Sequence, residues 1–191
     1  MVADPHRLPP GQVLTEKWPV LHYGPTVTYK PAQLEGWRLR VFGEVETELS
    51  LSLTELKALP AVDLRCDIHC VTTWSRLDNT FHGVRFGELF DRARPSDMAA
   101  YAVFHCARGF TTSVPLEALH DDDCGVVWQH DGADLTPEHG FPLRALVPRR
   151  YFWKSAKWLE GIELVERDKL GFWERNGYNN SADPWLEERY W

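Results

Sequence analysis

Nowhere do the 191 residues reach the ~18 consecutive apolar positions that a membrane-spanning helix needs, so no span is expected. The first residues, MVADPHRLPPGQ, also lack an apolar targeting core, a twin arginine and a small-residue cleavage site. The expectation is a cytoplasmic protein. Cysteine is scarce, at Cys66, Cys70, Cys106 and Cys124 only. In a cytoplasmic setting these are expected to be reduced thiols rather than a disulfide frame. Positive charge is in deficit, with a formal net charge of −7, which argues against a chain whose main task is coating nucleic acid or an anionic membrane. There is no internal repeat, low-complexity run or clear linker. The whole of 1–191 therefore reads as one domain, with an extended arm over 1–36 and an irregular tail over 167–191. Aromatics, by contrast, are abundant: nine tryptophans in a chain that is 43 % hydrophobic point to a large aromatic core or pocket wall.

Periodicity gives the elements. WRLRVFGEV (37–45) alternates apolar and polar residues as a half-buried strand does, and SLTELKAL then opens a short helix on the capping-box pair Ser52 and Glu55. In AVDLRCDIHC, Val62, Leu64, Cys66, Ile68 and Cys70 share one side and Asp63, Arg65, Asp67 and His69 the other, which predicts a strand ending at Cys70. GVRFGELFDRA (83–93) reads as a helix stopped at Arg94-Pro95. Further strands are expected over 99–107, 124–132, 141–148 and 161–166, with a turn and short helix at VPLEALHDDD. Strands and short helices without steady alternation predict a single α+β domain.

Three groups of residues could carry chemistry. Cys70 ends an apolar strand, where loops begin and sites collect. A small buried hydrophobe is the plain reading of a free cysteine. As a nucleophile it would need a base, and the adjacent His69 points to the opposite face. Zinc bound by Cys66, Cys70, His105 and Cys106 would require C-x₃-C instead of the usual knuckle spacing. A lone thiolate on a metal held mainly by something else needs no second cysteine.

The second group lies between Phe141 and Trp158, where Arg144, Arg149, Arg150, Lys154 and Lys157 occur with no acid. Such a local excess in an acidic chain can be a solvated basic face. It can equally be a single-stranded nucleic-acid surface, with Tyr151, Phe152, Trp153 and Trp158 as stacking rings. Arg144, however, interrupts an apolar strand, and a buried arginine needs a partner, which favours an internal anion. The third group, AVFHCARGFTTSVP, places His105 and Cys106 before a turn whose amides could face a polar ligand.

These segments, together with WPVLHYGP, WRLRVFGEV, FHGVRF, HGFPLRALVP and GFWERNGY, make the chain resemble the molybdopterin-dependent oxidoreductases of the sulfite oxidase fold, in particular the short bacterial sulfite oxidase-like proteins. The resemblance runs in order along essentially the whole chain. It implies mixed β-sheets with short peripheral helices and a molybdenum–molybdopterin cofactor without an appended nucleotide. Cys70 is then the one protein ligand to the metal and a catalytic residue, the residues after it, Thr72, Thr73, Trp74 and Ser75, form the wall of the site, and Trp74 and Arg108 are further catalytic candidates. His22, Tyr23, Cys106, His139, Arg144, Ser155, Ala156 and Lys157 fall at cofactor-binding positions.

The implied activity is two-electron oxygen-atom transfer on a small S- or N-containing substrate. Thr72, Thr73, Trp74 and Ser75 stand where animal and plant sulfite oxidases have basic residues, which points away from sulfite. With no haem-attachment C-x-x-C-H and no C-terminal immunoglobulin-like domain, a separate electron-transfer partner is expected. The alternative from the residues alone is a single-stranded nucleic-acid-binding module using the 149–158 patch.

Overall fold

The structure is a computed structural model, and it describes residues 7–191. Two sheets organise the chain. The first is built on a long central strand, β5, and holds β1 (Val13–Leu14), β4 (Val62–His69), β5 (Trp74–Arg85), β8 (Gly125–His130), β9 (Ala133–Asp134) and β10 (Arg144–Leu146). The second runs β3-β2-β11-β6-β7, using β2 (Leu39–Gly43), β3 (Leu49–Leu51), β6 (Tyr101–Cys106), β7 (Thr111–Pro115) and β11 (Leu159–Val165). Helices are short and peripheral: α1 (Pro31–Gly36), α2 (Leu53–Lys57), α3 (Phe86–Ala93) and α4 (Phe172–Arg175). This is the expected α+β arrangement. No helix among the described residues is long and apolar enough to cross a membrane. All four cysteines are free thiols.

The local signals explain several elements directly. Ser52 Oγ accepts from the Glu55 amide at 3.2 Å, and the Glu55 carboxylate accepts from the Ser52 amide at 2.8 Å, closing the capping box of α2. On α3, Phe86, Leu89, Phe90 and Ala93 form one buried stripe, and the helix ends at Arg94 in the left-handed region before Pro95.

Other expectations are corrected. The arm is not wholly extended, since α1 begins behind Lys30 with proline at its first position, where a missing N–H costs nothing. Residues 83–85 belong to β5, not to a helix. Gly83 sits so close to β8 that an added Cβ would lie 2.1 Å from the Val126 carbonyl. The hydroxyl-rich stretch after Cys106 is strand β7, and the strand expected over 141–148 shrinks to β10.

The larger core fills the space between the sheets and α3. A smaller cluster of Leu64, Ile68, Phe81, Val127, Leu146 and Phe152 lies against Trp18 and Trp74. Phe152 belongs to a segment fixed by an internal ion pair. The Lys154 ammonium, fully buried, donates to the Glu174 carboxylate at 2.8 Å, the Ser113 carbonyl at 2.6 Å and Asn180 Oδ1 at 3.0 Å. Glu174 also accepts from Thr112 Oγ1 and the Ser113 amide. One side chain thereby ties α4 and the tail to β7 and the 151–158 segment. Lys154→Ala strands a buried carboxylate, and truncating one partner of such a pair costs roughly 3–5 kcal/mol. The melting temperature is expected to fall by about 10 °C or more, as calorimetry can measure.

Candidate active site

The turn from β4 to β5 is where the thiol is made. The Cys70 amide donates to the Trp74 carbonyl at 2.8 Å and the Thr73 amide to the Cys70 carbonyl at 3.0 Å, which closes a three-residue hairpin loop. Thr73 has φ +75°, a left-handed conformation costing roughly 1–2 kcal/mol for a residue with a Cβ. The turn persists because both ends of the chain hold it. Gln12 Nε2 donates to the Cys70 carbonyl at 3.1 Å, the Val13 amide to the Thr73 carbonyl at 2.8 Å, and Arg189 Nη1 to the Val71 carbonyl at 2.5 Å.

Cys70 is 8 % exposed, and its Sγ lies 3.1 Å from Thr72 Oγ1. Burial pushes the thiol pKa up, against hydrogen bonds from Thr72 and the charges of Arg189 and Lys157. His69 faces away, as its strand position requires. Its Nδ1 pairs with Ser75 Oγ at 2.8 Å, and burial holds its pKa down to about 4, so the ring is neutral. It is no base for Cys70.

Cys70 lies in the wall of a cavity of about 540 Å³, a size suited to a cofactor or small ligand. Trp18, Trp74, Trp153, Trp158, Phe172 and Trp173 supply aromatic walls. Among the described residues three cations line it, Arg108, Arg144 and Lys157, and no carboxylate residue does.

Arg144 is 1 % exposed and has no acid partner among the described residues. Its guanidinium donates to the carbonyls of His139 at 2.9 Å and Ser155 at 2.6 Å and lies over the Phe152 ring. Burial pushes its pKa down to about 9, which leaves it charged at neutral pH. Lys157, bridged to Arg144 across adjacent backbone, donates to the Glu138 carbonyl at 2.6 Å and lies 3.2 Å from His22 Nδ1. Burial first, then Arg144, push Lys157 down to about 7. Gly140 lets the 138–140 loop approach this pair, because a Cβ there would meet both side chains at 3.1–3.2 Å.

The expected residues are gathered with few exceptions. His22, Tyr23, Cys70, Trp74, Arg108, Arg144, Ser155, Ala156 and Lys157 all line the cavity. Arg108 is exposed, has φ +62°, and has no polar partner among the described residues. Ser155 contributes backbone more than hydroxyl, since its Oγ accepts from the Val147 amide at 2.8 Å. His139 stands one layer back, stacked on Trp18 at 3.9 Å with its carbonyl on Arg144. Cys106 is not brought to the lining. As the last residue of β6 it turns into the larger core, and the wall begins at Ala107. Of Thr72–Ser75, expected as wall, only Trp74 lines the cavity. The turn carries Thr72 and Thr73 outward, and Ser75 is buried against His69 and Gln12.

The basic segment separates into roles. Arg149 and Arg150 pair with Asp121 and Asp183 near the surface, while Tyr151, Phe152 and Lys154 are buried. A stacking platform for nucleic acid is therefore missing from 149–158, and that alternative is set aside. Not foreseen from the sequence are Trp153, Phe172 and Trp173 as walls and Arg189 as a support for the turn, a contribution of the tail. The aromatic density of GFWERNGY, in a tail with no periodicity, is the one signal that could have marked it.

A soft thiol at one place and, at another, a buried guanidinium with a half-buried ammonium beside it, neither paired with a carboxylate side chain among the described residues, fit a group that binds a metal through sulfur and ends in an anion. Such a cavity suits a protein that holds an anionic, metal-bearing cofactor. The chain belongs to the family described as the oxidoreductase molybdopterin binding domain, whose model matches residues 25–173.

It is 44 % identical over 184 residues to the uncharacterized oxidoreductase YuiH of Bacillus subtilis, covering 96 % of this chain and 92 % of that one. It is 29 % identical to a putative protein-methionine-sulfoxide reductase subunit, YedZ1, of Azospira oryzae, covering 92 % and 68 %. The solved structure of the sulfane dehydrogenase SoxCD from Paracoccus pantotrophus shares the fold with a TM-score of 0.68 at 18 % identity, over 80 % of this chain and 42 % of that one. The protein is a molybdopterin-dependent oxidoreductase with a sulfite oxidase-like fold, and its cofactor is the molybdenum cofactor.

Proposed function

We propose that Cys70 gives the protein thiolate to molybdenum, that Arg144 and Lys157 bind the phosphate end of the pterin, and that the substrate is a small, neutral S- or N-oxide. The observation carrying this reading is the cavity itself, whose wall holds a buried thiol and three cations and, among the described residues, no carboxylate. Charge-assisted hydrogen bonds to phosphate contribute roughly 1.5–3 kcal/mol each, so the buried guanidinium and the half-buried ammonium together dominate the anchoring of an anionic cofactor. His22 keeps Lys157 turned inward, and the Glu138 and His139 carbonyls orient the two cations. Bound there, the cofactor supplies two-electron oxygen-atom transfer.

Around the thiol the turn itself offers Trp74 and no basic residue; of the three cations in the wall, Arg144 and Lys157 are taken by the phosphate in this reading, and the walls otherwise left are largely aromatic. Desolvating a dianion against such walls is costly, whereas a neutral oxide meets no such penalty. Reduction of a sulfoxide or N-oxide consumes two electrons and two protons and releases sulfide or amine plus water. A separate electron-transfer protein is the proposed donor, and the cytoplasm the proposed compartment.

The substrate reading is tested by steady-state turnover. A reduced dye with a small sulfoxide is set against sulfite with an artificial acceptor, at matched concentrations and low salt. The sulfoxide is expected to be the better substrate. Sulfite ahead by tenfold, which is roughly 1.4 kcal/mol in the transition state, would mean that Arg108 supplies the charge for an anionic substrate instead.

A further inference from the structure

Arg189 lies 118 residues beyond Val71 in sequence, yet its guanidinium closes on the Val71 carbonyl at 2.5 Å. The same group lies over the buried Tyr151 ring at 5.1 Å, where the pocket-wall segment begins. Its backbone is fixed independently, because the Arg189 carbonyl accepts from the Asn179 amide at 3.1 Å and Tyr178 pairs with Tyr190. Nearby, Trp185 packs edge-on against His69 at 4.9 Å, on the far face of β4. The arm meets the tail as well, since a Cβ on Gly11 would lie 2.9 Å from Glu187 Oε1.

The turn bearing Cys70 thus has its carbonyls held from outside: Cys70 by Gln12, Thr73 by Val13 and Val71 by Arg189. The first two come from the arm. Among the described residues, the bond to the Val71 carbonyl comes from the tail. A turn with Thr73 in the left-handed region relaxes toward ordinary backbone conformations unless its surroundings over-determine it.

We propose that Arg189 is a positioning residue for Cys70, supplied by the C-terminal tail, which fixes the strained turn so that the thiol points into the cavity before the cofactor arrives. The link from turn to cofactor rests on the reading of Cys70 as the metal ligand. The fixing of the turn does not. Arg189 itself does not line the cavity, and it acts through the Val71 backbone. Arginine suits the task because its planar fork donates to the carbonyl while its face packs on Tyr151.

The test is hydrogen exchange on the full-length chain, comparing amides of 70–75 with those of β11 as an internal reference, alongside the pterin content of protein made in a host that assembles the cofactor. Arg189→Ala is expected to speed exchange in 70–75 by tenfold or more, leave β11 within twofold, and lower pterin per chain at least threefold. Arg189→Lys, which keeps a donor and the charge, is expected to recover most of both. Where the alanine variant does not accumulate folded, Arg189→Lys and Arg189→Gln are compared by the same readouts, with glutamine expected to give the faster turn exchange.

Unchanged exchange in 70–75, or an equal rise in the turn and β11, overturns the proposal. Faster turn exchange with unaltered pterin content overturns the link to the cofactor. Wild-type protein lacking pterin would defeat the reading of Cys70, and the exchange comparison would still judge Arg189.

Discussion

Cys70→Ser protein is expected to fold, to keep part of its pterin, and to show no redox turnover above background with any sulfoxide, N-oxide or sulfite. The stability cost is small. Serine replaces a thiol that is 8 % exposed and already lies beside Thr72 Oγ1, so a hydroxyl there finds a partner. Placing a satisfied hydroxyl where a thiol was costs about 1–2 kcal/mol. For a domain of this size that lowers the melting temperature by roughly 2–8 °C. The catalytic cost is large because, among the described residues, the Cys70 sulfur is the only soft donor that lines the cavity. Calorimetry beside a dye-linked assay separates the two effects. Turnover within tenfold of wild type would remove Cys70 from the metal.

Arg144→Ala is expected to lose the cofactor while keeping the fold. The guanidinium is buried, carries its charge at neutral pH, and has carbonyls but, among the described residues, no carboxylate partner. A buried cation so placed is stabilised only partly by protein dipoles, and an anion completes its surroundings. Losing one buried charge-assisted contact is worth roughly 2–3 kcal/mol, a factor of ~30–150 in retention. Pterin released on denaturation, measured after extensive dialysis, reads this directly. Arg149→Ala, whose side chain pairs with Asp121 at the surface, is the control expected to retain wild-type content. Equal retention by the two variants would exclude Arg144 from the anchor.

Local features of the sequence carried much of this. Alternation through AVDLRCDIHC placed β4 and set Cys70 at its end, and the Ser52–Glu55 spacing marked α2, because both depend on neighbours only. An arginine inside PLRALVP was legible as a buried charge for the same reason: its apolar neighbours fix its environment. What failed was non-local. β5 begins in WSRLDNT, whose polar residues give no strand period. It is held by register with β4 and β8 instead. Lys154 read as one more base for an anion, but its charge is consumed by Glu174, twenty positions on in a tail with no period of its own. Cys106 is a different case. The resemblance placed it at a cofactor-contacting position, whereas in the structure it lies in the core and not in the cavity lining. The walls contributed by Phe172 and Trp173, and the grip of Arg189 on Val71, arise only when the tail folds back over the turn.

The most direct measurement is the metal and pterin content of wild-type protein purified from a host able to assemble the molybdenum cofactor. The account predicts about one molybdenum and one pterin per chain, with molybdenum lost in Cys70→Ser. Stoichiometric zinc without pterin, or molybdenum retained unchanged in Cys70→Ser, would contradict it.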